Sequence, residues 1–140
     1  MSEPMTTFRA KGLFAGLTTD DVEGIMRAGE PVTFEPDRAI FESGDEGDAM
    51  YVITEGEARV KVGGRSHDMG PGEVFGEMAI LAPGKRMATV RSVSAVAALR
   101  VPADAFQAFL LQHPAVGISI MKQLVVRLRE VEQRIDAWMA

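Results

Sequence analysis

A mainly β domain, a small barrel or jelly-roll sandwich flanked by helices, is the fold class that this sequence predicts. Three observations carry the prediction. Between residues 31 and 101 apolar side chains recur with a period of two, in many short runs. Glycines at 44, 47, 56, 63, 64, 70, 72 and 76 separate those runs. On either side the period lengthens to that of a helix, so helices are expected to cover the sheets.

The first thirty residues read as helical. Thr18 is placed to cap a helix starting at Thr19, with Asp20 and Asp21 in its first turn near the positive end of the dipole. Leu17 precedes the cap and can pack on Val22, while Val22, Ile25 and Met26 form the stripe to be buried. Gly29, Glu30 and Pro31 end the helix. Strands are expected over 31–35, 39–42, 49–55, 65–69, 88–93 and 95–101. Another is expected where Ala58, Val60 and Val62 alternate with Glu57, Arg59 and Lys61. Gly63-Gly64 between two such runs signals a two-residue hairpin. Pro102 suits a first helical position, and Phe106, Phe109 and Leu110 give the helix that follows an apolar face. His113-Pro114 breaks it and starts a longer helix to about Met139. Along that helix Met121, Leu124, Leu128, Val131, Ile135 and Trp138 fall on a heptad seam, which packs on the β-domain or zips two copies into a homodimer, the latter favoured.

The 140 residues fit one domain, 1–140, made of an N-terminal helical segment (1–30), a β region (31–101) and C-terminal helices (102–139). A net charge of −5 argues against broad nucleic-acid binding. The absence of cysteine excludes disulfides, thiolate metal sites and thiol nucleophiles. No apolar run approaches the roughly 20 residues that span a bilayer, and the polar leader after Met1 lacks the apolar core of a signal peptide. No membrane attachment and a cytoplasmic location are therefore expected.

Residues 75–90, Phe-Gly-Glu-Met-Ala-Ile-Leu-Ala-Pro-Gly-Lys-Arg-Met-Ala-Thr-Val, say most about chemistry. Gly76 allows close approach to the backbone, Glu77 can accept a sugar hydroxyl, and Arg86 offers a planar fork that fits phosphate oxygens. Together they describe a pocket for a phosphorylated ribose. The stretch resembles the phosphate-binding cassette of cyclic nucleotide-binding domains, the family of the catabolite activator protein and of the regulatory subunits of cyclic-AMP-dependent kinase. Ile40 to Ile53 resembles that family's glycine-punctuated hairpin, and Met69 to Phe75 its lead-in to the cassette. The resemblance covers roughly residues 12–135.

It implies an eight-stranded β-roll (a double-stranded β-helix, jelly-roll-like) with N-terminal helices and two C-terminal helices. Glu77 would accept the ribose 2′-hydroxyl and Arg86 would pair with the cyclic phosphate. Backbone N–H groups near Met78, Ala79, Met87 and Ala88 would complete the phosphate's hydrogen bonds, and Val60 would floor the purine. Where a serine or threonine follows the arginine in the family, its hydroxyl can bond guanine; Met87 has none, which favours cyclic AMP over cyclic GMP. Aligned through His113-Pro114 with the family's long helix, Arg127 would reach Glu77, with Val131 and Glu132 near the base as a lid.

The rival readings are plainer. An acid and an arginine nine apart also fit a surface ion pair, and Arg127 and Glu132 a solvated helix face. Gly70-Pro71-Gly72-Glu73-Val74-Phe75-Gly76 misses a dinucleotide fingerprint by one residue. Asp45, Glu46 and Asp48 read as a solvated turn before a calcium loop, and His67 and His113 stand too far apart to suggest a metal pair or a triad. No cofactor, metal or catalytic residue is expected, and no enzyme activity. The expected role is a sensor that passes ligand occupancy to its last helix. It would act alone, as a module of a larger channel, enzyme or transcription factor, or as an interaction domain of the same fold without ligand. A transcription factor of this kind would need a helix-turn-helix after the long helix, and the sequence stops at Ala140.

Overall fold

The computed structural model describes residues 12–139, with side chains as far as residue 135. The helicity expected of residues 1–11 and the packing of the Trp138 side chain lie outside the described residues.

A 3-10 turn at Gly12–Phe14 leads to helix α1, Thr19–Arg27. Its start is the capping box that Thr18 and Asp21 can form. The Asp21 N–H donates to Thr18 Oγ1 and the Thr18 N–H donates to Asp21 Oδ2, both at 3.1 Å. Two of the N–H groups left over at the helix start are thereby satisfied. Val22, Ile25 and Met26 are buried, and Leu17 packs beside Val22 as the staple required.

Ten strands follow: β1 (Glu30–Phe34), β2 (Ala39–Phe41), β3 (Glu46–Gly47), β4 (Ala49–Glu55), β5 (Ala58–Val62), β6 (Arg65–Met69), β7 (Val74–Phe75), β8 (Gly84–Lys85), β9 (Thr89–Ser92) and β10 (Val96–Pro102). Eight of them make two four-stranded antiparallel sheets, in the orders β1-β10-β4-β7 and β2-β9-β5-β6. These are the two walls of the roll. β3 and β8 pair only with each other, in a two-residue ribbon. Three strands absent from the expectation, β3, β7 and β8, have two residues each, too few for any periodicity to register. The Gly63-Gly64 hairpin joins β5 to β6 in the register Val62↔Arg65.

Strand β4 shows why the roll needs its helices. Met50 and Val52 point toward the helical layer, while Tyr51 and Ile53 point into the roll. Both faces are covered, so the strand reads as an almost continuous apolar run rather than an alternating one. Inside the roll Ile53, Ala58, Val60, Met69, Phe75 and Val90 form one core cluster. On the other face Met50 and Val101 pack against the helices through Leu13, Phe14, Ile25, Phe106, Val116 and Ile120. Val62 continues the inward alternation of β5 but lies half exposed at the hairpin end.

After the cassette helix α2 (Met78–Leu81) come α3 (Ala103–Gln112) and α4 (Pro114–Met139). Pro102 is not the first helical residue. With φ −66° and ψ 151° it ends β10 and stands just before α3. Its ring fixes φ only, and the extended ψ keeps it in the strand. Along α4, Leu124 packs on the core, whereas Met121, Leu128, Val131 and Ile135 are exposed. No single helix among the described residues is long and apolar enough to cross a membrane.

Candidate ligand site

Arg86 follows β8 and is held first by its backbone. Its N–H donates to the Asp45 carbonyl at 2.6 Å, and its carbonyl accepts from the Gly44 N–H at 2.8 Å. The turn that supplies these groups is closed by Asp45, whose Oδ2 accepts from the Glu42 N–H at 2.9 Å. Of the neighbouring acids, Glu46 pairs with Lys85 and Asp48 with Arg100, so the acidic run closes a turn and makes surface ion pairs.

The Arg86 side chain then runs inward and is 9% exposed. A buried guanidinium normally has a carboxylate beside it; here, among the described residues, it has none. Nη1 donates to the Gly76 carbonyl at a long 3.4 Å, and Nε meets no acceptor. The Phe41 ring lies below the group, its centroid 4.0 Å from Cζ. Burial pushes the guanidinium pKa below its ordinary value, with Tyr51 and Asp48 pulling the other way. Arginine still keeps its proton at any working pH. The result is a fixed cation with unmet donors, which an anion would satisfy.

Two glycines make room for it. A Cβ on Gly47 would collide with the Arg86 Nε and Cζ. Gly76 has φ +78°, and a Cβ there would lie 2.8 Å from Nη1. Both positions thus need the one residue without a Cβ.

Arg86 faces a cavity of about 470 Å³. Gly76, Glu77, Met78, Ala79, Arg86, Met87, Ala88 and Val60 all line it, so residues picked from two separate stretches converge on one space. Phe75, Met69 and Val90 extend the apolar wall behind Val60. Glu77 is half-buried and makes no ion pair with Arg86 among the described residues, which removes the surface-pair reading. The Ala79 N–H already donates to the Gly76 carbonyl at 3.2 Å. Met87 stands at the rim, 74% exposed.

The last helix touches the cassette one residue from the expected place. Arg127 Nη1 donates to Met78 Sδ at 3.9 Å and makes no ion pair with Glu77. Both Glu77 and Met78 line the cavity, and Met78, 54% exposed at the start of α2, is the one whose sulfur meets α4. Val131 and Glu132 do not line the cavity. At 1.5 Å per residue Glu132 lies about 7.5 Å further along the helix than the half-buried Arg127, and Glu132 is exposed.

Phe41, Gly47 and His67 belong to the site without having been picked from the sequence. Phe41 and Gly47 sit in the hairpin stretch 40–53, whose glycines alone marked it. His67 lines the cavity because β6 places it opposite Val60, with its neighbour Met69 on the same face. Register across β5 and β6 was the available signal.

A family model described as the cyclic nucleotide-binding domain matches residues 31–113. The chain is 28% identical over 132 residues to a CRP-like cAMP-activated global transcriptional regulator of Mycobacterium tuberculosis, covering 89% of this chain and 58% of that protein. It is 30% identical over 130 residues to the cyclic AMP receptor protein of Thermus thermophilus, covering 89% and 60%. The chain therefore spans about three fifths of the length of these curated relatives. Among solved structures, the N-terminal domain of a transcriptional regulator from Streptomyces coelicolor superposes with a TM-score of 0.80 at 28% identity, over 91% of this chain and 93% of that one.

Proposed function

The chain belongs to the cyclic nucleotide-binding domain family, and we propose that it acts as a cyclic nucleotide sensor that prefers cyclic AMP to cyclic GMP. The observation that carries this reading is Arg86, a buried cation that lines the cavity with its Nε unpartnered and, among the described residues, no carboxylate within ion-pair distance. A cyclic phosphate brings one negative charge and several acceptors, which is what such a group requires. Glu77 accepts the ribose 2′-hydroxyl, and the purine lies against Val60, Met69 and Val90. Met87 offers no hydroxyl to a guanine, and two relatives carry cyclic AMP in their names.

Occupancy passes outward as a population shift, because a ligand moves an equilibrium only through contacts that differ between states. The Arg127–Met78 contact between α4 and the cassette is the junction through which it passes. A second copy covers the exposed apolar side chains of α4, giving a homodimer. In a longer protein the same domain serves as the sensory module of a transcription factor, channel or enzyme.

Calorimetry with cyclic AMP and cyclic GMP, on the wild type and Arg86→Ala, tests the reading, with sedimentation of the same samples for the dimer. Cyclic AMP is expected to bind more tightly, and Arg86→Ala to lose at least about a hundredfold in affinity. Absence of heat with either nucleotide overturns the reading. Cyclic GMP binding about tenfold tighter than cyclic AMP overturns the preference, and a monomer at high micromolar concentration with and without ligand removes the dimer.

A further inference from the structure

We propose that Phe41 is the positioning residue of this site. Its ring sets the plane of the Arg86 guanidinium so that the donors on the edges of that plane face the anion. The inference rests on the reading above for the identity of the ligand, and on geometry alone for the positioning.

Among the described residues Arg86 has few other constraints on its head group. The hydrogen bond to Gly76 is long at 3.4 Å, Nε meets no acceptor, and no carboxylate lies within ion-pair distance. The Phe41 centroid, 4.0 Å from Cζ, is well inside the range of a cation–π contact. All five N–H groups of a guanidinium lie in its plane. A carboxylate partner would hold the plane by consuming two of them. An aromatic ring holds it through its face and consumes none, so the in-plane N–H groups of the two terminal nitrogens not used on Gly76 remain for a phosphate.

The ring is itself fixed. Its centroid lies 5.7 Å from that of Phe75 and 6.2 Å from that of Tyr51, and Tyr51 stacks on Phe75 at 5.1 Å. Phe41 is the last residue of β2, in register with Val90 of β9. Immediately after it comes the turn whose Gly44 and Asp45 backbone groups clamp the Arg86 backbone. One segment, residues 41–45, therefore holds both ends of the arginine, its main chain by hydrogen bonds and its head by a ring.

The test compares the wild type with Phe41→Leu and Phe41→Tyr, using cyclic AMP affinity and the side-chain NMR signals of Arg86. Phe41→Leu keeps an apolar group of similar reach and removes the π face. It is expected to weaken cyclic AMP by about tenfold, and Phe41→Tyr is expected to restore most of that loss. Without any ligand, the Arg86 side-chain protons are expected upfield in the wild type and in Phe41→Tyr, from the ring current, and at ordinary positions in Phe41→Leu. Ordinary Arg86 shifts in the wild type overturn the proposal, as does Phe41→Tyr binding as weakly as Phe41→Leu. Upfield signals that vanish in Phe41→Leu, in a wild type that binds no cyclic nucleotide, support the positioning role and overturn the ligand reading alone.

Discussion

The two faces of the β2-β9-β5-β6 sheet treat arginine in opposite ways. On the outer face Arg59 meets Asp68 through two hydrogen bonds of 2.7 and 3.1 Å, and Arg91 meets Asp37 at 3.2 Å. Water could have satisfied those groups equally well, so the pairs add little stability. On the inner side Arg86, far less accessible to water, has a ring, one long hydrogen bond and an unpartnered Nε. Satisfied charges stand where satisfaction matters least, and the unsatisfied one where it costs most. Such a cost at one buried cation is what the proposed nucleotide site would offset with a phosphate from outside the chain.

The sharpest way to break this comparison is to fill the space Arg86 needs. Gly47→Ala places a methyl on the guanidinium, and the arginine must move or the β3–β8 ribbon must shift. Cyclic AMP affinity is expected to fall about tenfold or more in calorimetry, for a stability loss of about 1–3 kcal/mol. Unchanged affinity would show that the observed seat of Arg86 is not the binding one. Replacing the cation itself should act in the other direction on the ligand-free protein. Arg86→Met removes the buried charge, keeps volume, and is expected to raise stability by about 1 kcal/mol in a denaturant titration, the low end for such replacements because the cavity admits water. A clear loss of stability would mean that Arg86 is paid for within the fold and needs no ligand to explain it.

The smallest effect belongs to the outer face. The hydrogen bond from Arg59 holds the Asp68 carboxyl below its usual pKa. A depressed carboxylate pKa contributes stability that is present above the unfolded value, about 3.9, and is lost as pH falls through the folded value. Asp68→Asn should therefore lower stability at neutral pH only slightly, and should remove a slight pH dependence confined to the region below about pH 4. A large change at neutral pH would contradict the contrast between the two faces.

How much of this was legible beforehand depends on the range of the interaction. The Thr18–Asp21 capping box, the Gly63-Gly64 hairpin and the longer strands were readable because their determinants lie within a few residues of one another. Strands β3, β7 and β8 were not, since two residues carry no period. Of the site, Gly76, Glu77 and Arg86 were legible as a spacing in one stretch. The placement of Arg127 shows the limit of that method. An ungapped alignment put it on Glu77, and packing of α4 put it on Met78.

The sequence by itself determined the class of fold, the ends of its first helix and the stretch that would face a ligand. Each of these follows from periodicity, caps and turn residues, which act locally along the chain. Only the tertiary structure decided that Arg86 is buried with no carboxylate in ion-pair distance among the described residues, that Phe41 lies under it, and that Asp45 and Gly44 hold its backbone. Those groups belong to distant segments, and they meet because closing the two sheets into a roll brings the 41–47 turn against the end of the cassette. Proximity of that kind is a property of the closed sheet, which no local pattern encodes.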